Sequence, residues 1–251
     1  MPLLYALSDV HSEHWRDANA FVRFQEAIRP VEIADVLVLP GDIWSLSDET
    51  CLRYLDEFRK WAIEIVYTPG NHEWYGTNPT NRGKEVLDKL YKEGLRVLGP
   101  DYYESFEYEG MRFVGSTCWY PDTPLVRKKL MNWSDKAYIR DFEKWWEKFQ
   151  LKERKHLWAN MKDGDIVVSH MLPTWNCVSH QFEADSYNCL YVADLQDLIA
   201  EKNPAIWLHG HSHEALDVIK GNTRFLRNPI GYPNEEMIRH PENVKILEIR
   251  L

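Results

Sequence analysis

A chain of 251 residues is long enough for one large domain with a well-buried core, and no Ser/Gly-rich or proline-rich linker divides it. The formal charge of −9 disfavours a protein that grips nucleic acid mainly by neutralising phosphates, a mode that needs a surplus of Lys and Arg. Cys51, Cys118, Cys177 and Cys189 are widely spaced, so neither a disulfide framework nor a zinc ribbon is indicated; without a signal-like N-terminus or an apolar run of about 18 residues, the expectation is a soluble cytoplasmic protein.

Leu3 to Leu7 is a short apolar run that ends at Ser8-Asp9-Val10-His11. Ligands of α/β sheets gather at strand C-terminal ends, and Asp9 and His11, as alternate residues, would project alike from an extended backbone. An Asp-capped turn beside a stray histidine also explains this pair. Apolar positions at helical spacing (Ala20, Phe21, Phe24, Ala27, Ile28) predict a helix over 18–28, stopped by Pro30. The continuous run Val36 to Leu39 reads as a strand covered on both faces and ends at Pro40-Gly41-Asp42. A helix capped by Ser47 or Asp48 should follow to about Trp61, burying Leu52, Leu55, Phe58 and Trp61. The strand Ile63 to Tyr67 then delivers the turn Gly70-Asn71-His72-Glu73 and the aromatic loop Trp74-Tyr75-Gly76. Three strand, polar loop and helix units in succession give the α/β pattern.

A helix over 82–93 and a strand over 95–98 follow, and then the pattern changes. Tyr102 to Tyr108, the turn Glu109-Gly110 and Met111 to Val114 predict a β-hairpin. The stretch at about 119–160, dense in Trp, Lys and Glu, reads as a helical, aromatic-rich insertion with Phe142, Trp145, Trp146 and Phe149 on one face: a helix packed on the core, or a cap that shapes a substrate site. Asp165 to Ser169 runs a strand into His170, the irregular segment 175–188 is long enough to reach over a site, and a helix is expected from Val192 to Glu201. The strand Ala205 to Leu208 ends in His209-Gly210-His211-Ser212-His213, where three histidines in five residues point to a metal. His211 and His213 should project alike and His209 away from them. Two further strands lead to Arg227 and Asn228, which enter a proline and glycine loop that could approach a phosphate, and a last strand covers 244–249.

Two aspartates, one asparagine and four histidines thus lie at strand ends with no cysteine among them. Hard oxygen mixed with imidazole suits Mn, Fe, Zn or Ni better than Ca or Mg alone, and seven ligands suit two cations rather than one. Asp9-Val10-His11, Gly41-Asp42, Gly70-Asn71-His72-Glu73, His170 and Gly210-His211-Ser212-His213 are five ordered blocks that span nearly the whole chain. In this the chain resembles the calcineurin-like metallophosphoesterase superfamily. The resemblance implies a single α/β domain, a four-layer αββα sandwich of two mixed sheets flanked by helices, with a dinuclear site at the strand C-terminal ends. It also implies that Asp9, His11 and His213 hold one metal, that Asn71, His170 and His211 hold the other, that Asp42 bridges both, and that His72 is the catalytic acid.

Two divalent transition-metal ions, Mn foremost, would then lower the pKa of a bridging water and stabilise charge during in-line attack on phosphorus. The expected activity is a phosphodiesterase or phosphomonoesterase acting on a small molecule such as a nucleotide, with Tyr75, Arg227 and Asn228 as substrate-binding candidates. A nuclease of the same superfamily is the alternative, and a catalytically silent scaffold is disfavoured because all seven ligands are present. The second block reads Gly41-Asp42-Ile43-Trp44-Ser45, with Ser45 where much of the superfamily has Asp or Asn, so the carboxylate that would orient His72 must come from elsewhere, Glu73 or Asp48 being candidates. The missing Asp-Arg-Gly sequence argues against the phosphoprotein phosphatase branch. The aromatic loop after Glu73 and the segment Asn228 to Tyr232 look more like bacterial and phage phosphoesterases. Substrate, diester or monoester preference, metal identity and oligomeric state are left open.

Overall fold

Each of the first three strands is followed by a helix on the outer face. β1 (Leu3–Ala6), α1 (Ala18–Ile28), β2 (Ala34–Pro40), α2 (Thr50–Phe58), β3 (Ala62–Thr68), α3 (Arg82–Lys92) and β4 (Arg96–Val97) come first in the computed structural model, which describes residues 1–233, 241 and 244–251. The hairpin β5 (Phe106–Tyr108) and β6 (Met111–Ser116) leads to α4 (Pro124–Leu130), α5 (Ser134–Tyr138) and α6 (Phe142–Asn160). The chain continues through β7 (Ile166–Ser169), α7 (Gln196–Lys202), β8 (Ile206–Leu208), β9 (Leu216–Lys220), β10 (Thr223–Arg227) and β11 (Leu247–Arg250).

The strands form two mixed sheets, in the orders β11-β1-β2-β3-β4 and β5-β6-β7-β8-β10-β9. Within them β1, β2, β3 and β4 run parallel, as do β6, β7, β8 and β10, while β11, β5 and β9 pair antiparallel at the edges. Strand alternation separates two cores. Leu4, Ala6, Val36, Val38 and Val66 face Phe113, Val168, Leu208 and Leu226 between the sheets, whereas Leu3, Tyr5, Leu37 and Leu39 pack outward with Phe21, Leu55 and Phe58 from the helices. The αββα sandwich expected from the sequence is therefore the observed architecture. Strands buried on both faces explain why their sequences are apolar throughout.

Three helices differ from expectation, one in its buried face and two in their bounds. α1 buries Gln25 rather than Ala27, with the Gln25 amide nitrogen donating to the Tyr54 carbonyl. α2 runs from Thr50 to Phe58, because Asp48 accepts from the Thr50 amide before the helix begins and a turn over Lys60 and Trp61 ends it; Leu52 is only half-buried. α7 starts at Gln196, since Ala193 and Leu195 donate their amides to the Leu172 and Pro173 carbonyls, which keeps that stretch out of the helix. In the 119–160 segment Trp119, Tyr120, Phe142, Trp145 and Trp146 are buried in the main core. Among the described residues no helix is long and apolar enough to cross a membrane.

Candidate metal centre

The C-terminal ends of β1, β2 and β3 in one sheet and of β7 and β8 in the other open toward the same place, and every candidate ligand leaves one of these ends. The backbone there is unusual. Asp9, His11, Asp42 and His211 have φ of 53°, 51°, 55° and 72°, a left-handed conformation that side chains disfavour and that clusters at functional sites. Asp9 and His11 therefore converge through successive tight turns and not, as alternation suggested, along an extended strand. His211 and His213 likewise do not project alike; each joins a different cluster. Glycine is required beside these turns, because a Cβ on Gly70 would lie 2.1 Å from Asp42 Oδ1 and one on Gly41 would lie 2.6 Å from His170 Nδ1.

In the first cluster Asp9, His11 and His213 present ligand atoms within 4.8 Å of one another, with His11 Nε2 and His213 Nε2 only 3.0 Å apart. In the second, Asp42, His170 and His211 do the same: His170 Nε2 lies 3.1 Å from His211 Nδ1, 3.3 Å from Asp42 Oδ2 and 3.0 Å from Asn71 Oδ1. Asp9 links the two, accepting from the His211 amide at 2.9 Å. Asp42 falls in the second cluster and accepts from the His72 amide at 2.9 Å.

Imidazole nitrogens that face one another at 3 Å would set lone pair against lone pair unless a proton or a cation lies between them. Two of these rings have the other nitrogen committed: His170 Nδ1 donates to the Pro40 carbonyl at 2.9 Å and His11 Nδ1 to Glu13 at 3.2 Å, the outer contacts that fix a metal-ligating tautomer. Burial disfavours charge on His170, but the Asp42 and Asp9 carboxylates outweigh it and raise its pKa to about 10. A bound cation would take that proton's place. The donor set thus fits divalent ions.

His72 stands beside the clusters. Its Nδ1 lies 2.8 Å from Glu13 Oε1, and its ring stacks on Tyr75 at 4.1 Å. Burial works against its charged form, yet Asp42 and Glu13 raise its pKa to about 9. Glu13 is held down to about 2 by its bonds to His11 and His72, in spite of burial that pulls the other way. The missing partner for His72 is therefore Glu13 and neither of the expected candidates. Glu73 is buried and accepts from the amides of Asp42, Ile43 and Gly70 at 2.6 to 2.8 Å, which ties two ligand loops together, and Asp48 faces Thr50.

Asp135 on α5 is a second residue that the sequence did not reveal. Wholly buried, its Oδ1 accepts from Asn71 Nδ2 at 2.8 Å and Tyr75 OH at 3.0 Å, and its Oδ2 from Tyr120 OH at 3.0 Å and Trp133 Nε1 at 3.1 Å. Because the amide nitrogen of Asn71 is spent on Asp135, its oxygen is the atom turned to His170.

The Calcineurin-like phosphoesterase family matches residues 3–215. The chain belongs to that family. Among similar proteins, an uncharacterised protein of Acanthamoeba polyphaga mimivirus is 24% identical over 79% of each chain. The [acyl-carrier-protein] phosphodiesterase PptH of Mycobacterium tuberculosis is 33% identical over 31% of this chain and 22% of its own length. In three dimensions the crystal structure of PptH, a phosphopantetheinyl hydrolase, superposes with a TM-score of 0.75 at 17% identity, covering 99% of this chain and 95% of that one. A dimetal phosphatase from Danio rerio gives 0.57 at 13% identity, with 99% and 92% covered.

Of the substrate-binding candidates of this phosphoesterase, only Tyr75 faces the opening, where it lines a cavity with His72. The Arg227 guanidinium is buried, donating to the Glu214 carbonyl and, at 3.1 Å, to the Cys177 carbonyl, so it clamps the 177–179 loop. Asn228 donates to the Ala6 and Lys245 carbonyls at 3.0 Å. Neither side chain is placed to approach a phosphate. His209, expected to face away, is buried with Nδ1 at 3.2 Å from the Gly210 carbonyl. Trp74, Trp119 and Tyr120 are buried.

Proposed function

We propose that this phosphoesterase is a dinuclear metal-dependent phosphodiesterase acting on a small molecule that carries a nucleotide-like group. One observation carries the reading: Asp9, His11 and His213 and, beside them, Asp42, His170 and His211 could each hold an ion without His72, whose ring lies next to them against the carboxylate of Glu13. Asp9, His11 and His213 would hold one ion and Asn71, His170 and His211 the other, with Asp42 shared. Two such ions, Mn in first place, would supply Lewis-acid polarisation of the phosphoryl group and a water of lowered pKa. PptH's designation as a phosphodiesterase supports diester over monoester.

The protein's own part follows from His72. With Nδ1 engaged by Glu13, its Nε2 is the nitrogen left to give a proton to the departing oxygen, and the Glu13 carboxylate favours the charged ring that carries that proton. Tyr75, stacked on the ring and anchored by Asp135, prevents His72 from turning away. The test is hydrolysis of bis(4-nitrophenyl) phosphate and 4-nitrophenyl phosphate before and after chelation and after reloading with Mn. Activity lost to chelator, restored by Mn and greater on the diester is expected; full activity of metal-free protein would sink the proposal.

A further inference from the structure

Two cavities flank the centre, and Tyr232 forms part of the wall of each. Its ring lies 4.4 Å above that of His11 in a stacked arrangement, 4.7 Å from His213 and 6.2 Å from His72. On the His72 side the cavity is about 1000 Å³ and is walled by His72, Tyr75 and Tyr138, with His14 and Arg16 beyond them. On the His211 and His213 side it is about 380 Å³, walled by Tyr191 and Phe182, with Asp185 and Glu214. The charges are opposed. Among the described residues the wide cavity has an arginine and no carboxylate, whereas the narrow one has two carboxylates and no lysine or arginine. Arg16 has no acidic partner among the described residues, and the buried Oε2 of Glu214 has no hydrogen-bond partner.

We propose that the substrate is an asymmetric phosphodiester that spans both cavities: its leaving alcohol carries a planar ring and a second anionic group, and its retained arm is neutral or cationic. This rests on the assignment of His72 as the acid. A monoester would fill one cavity and leave the other idle, whereas two cavities on either side of one reaction centre match the two arms of a diester. His72 can protonate only an oxygen on its own side, so the leaving arm occupies the wide cavity, where tyrosine faces take a planar ring and Arg16 takes an anion. The retained arm lies between Tyr191 and the carboxylates. Water gives up one proton to solvent as its oxygen forms the new P–O bond, the P–O bond to the ring-bearing alcohol breaks, and the alcohol leaves with the proton of His72, which solvent replaces. The products are that alcohol and the monoester of the retained arm.

The experiment compares Mn-loaded protein on methyl 4-nitrophenyl phosphate and on its 3-carboxy-4-nitrophenyl analogue, read as a ratio of kcat/KM. A ratio of about ten in favour of the carboxylated leaving group is expected, as one charge-assisted contact would give, falling to near one in Arg16→Ala. Moving the carboxylate to the retained arm, as carboxymethyl 4-nitrophenyl phosphate, should lower kcat/KM, and a 2-aminoethyl arm should raise it. Calorimetric titration of metal-free protein provides a readout independent of turnover: 5-hydroxy-2-nitrobenzoate should bind more tightly than 4-nitrophenol, and Arg16→Ala should remove the difference. Equal ratios, a preference that survives Arg16→Ala, or faster turnover of 4-nitrophenyl phosphate than of every diester would overturn this inference and leave the hydrolase reading standing. Absence of hydrolysis of every ester by Mn-loaded protein would overturn both.

Discussion

Glu13 lies two residues after His11 in the loop that leaves β1, whereas Asp135 arrives from α5, 64 positions beyond the Asn71 that it holds. Both are buried carboxylates lying just behind the candidate centre, but they act on different kinds of partner. Glu13 faces two imidazoles, His11 and His72, so its negative charge bears directly on where protons sit. Asp135 faces an amide, two phenols and an indole, none of which titrates near neutral pH, so its work is to fix the orientation of Asn71 and to tie the aromatic segment to the site. Charge on one side and orientation on the other predict different failures when each is removed.

The largest effect falls on the group that Glu13 serves. His72→Ala should retain both ions, since His72 is not proposed as a ligand, while kcat falls by about 10²- to 10⁴-fold, the range of a lost general acid. Metal analysis beside steady-state rates checks this, and loss of an ion together with activity would instead make His72 a ligand. Glu13→Gln should cost less, about 10- to 100-fold, because the amide can still accept from the ring. Its signature is in pH. The negative charge of Glu13 is among the causes that raise the His72 pKa to about 9, so removing it lowers that pKa, and the alkaline limb of the kcat profile should move to lower pH. A limb that stays in place would separate His72 from Glu13.

Asp135→Asn should fail in the other way. With the carboxylate replaced, nothing dictates which end of the Asn71 amide faces His170, and affinity for one ion should drop by roughly 10- to 100-fold. Metal content after dialysis against a weak chelator should approach one ion per chain, with the pH limb unchanged. Two ions retained, or a shifted limb, would show that the two carboxylates do not divide the work as their partners suggest.

The contrast also explains what could be read in the sequence. The α/β alternation was legible because strands buried on both faces need unbroken apolar runs, the two-sheet sandwich followed only from the family resemblance, and the five blocks were legible because each directly follows such a run. Glu13 lies only two residues past His11 in the same loop, but Ser45 in the second block pointed to the nearby carboxylates Glu73 and Asp48 instead. Asp135 was not available. It lies in a five-residue helix amid tryptophans and lysines, and only the folding of that segment against β6 and the Asn71 loop brings it to Asn71. Arg227 misled for a related reason: a cation after a strand suits a phosphate equally well whether or not its guanidinium is already used by backbone carbonyls, and only coordinates reveal that use.

Glu153 tests whether a buried carboxylate from the aromatic segment affects the centre merely by being buried there. It comes from α6, is almost wholly buried, and accepts from the Trp119 amide at 3.0 Å, where the chain leaves β6, with none of the candidate ligands as a partner. Burial raises its pKa from an ordinary 4.5 to about 8 against the pull of the backbone amides that it accepts from. A carboxyl whose folded pKa is raised holds its proton more tightly in the folded state. Its contribution to stability is therefore fully present below about 4.5 and is lost as pH rises toward about 8. Glu153→Gln carries no such proton, so its Tm should decline less than that of the parent between about pH 5 and pH 8, with metal content and the kcat profile unaltered. If Glu153→Gln instead sheds an ion as Asp135→Asn is expected to, the loss would belong to loosening of the aromatic segment as a whole, and the bond from Asp135 to Asn71 would lose its special place.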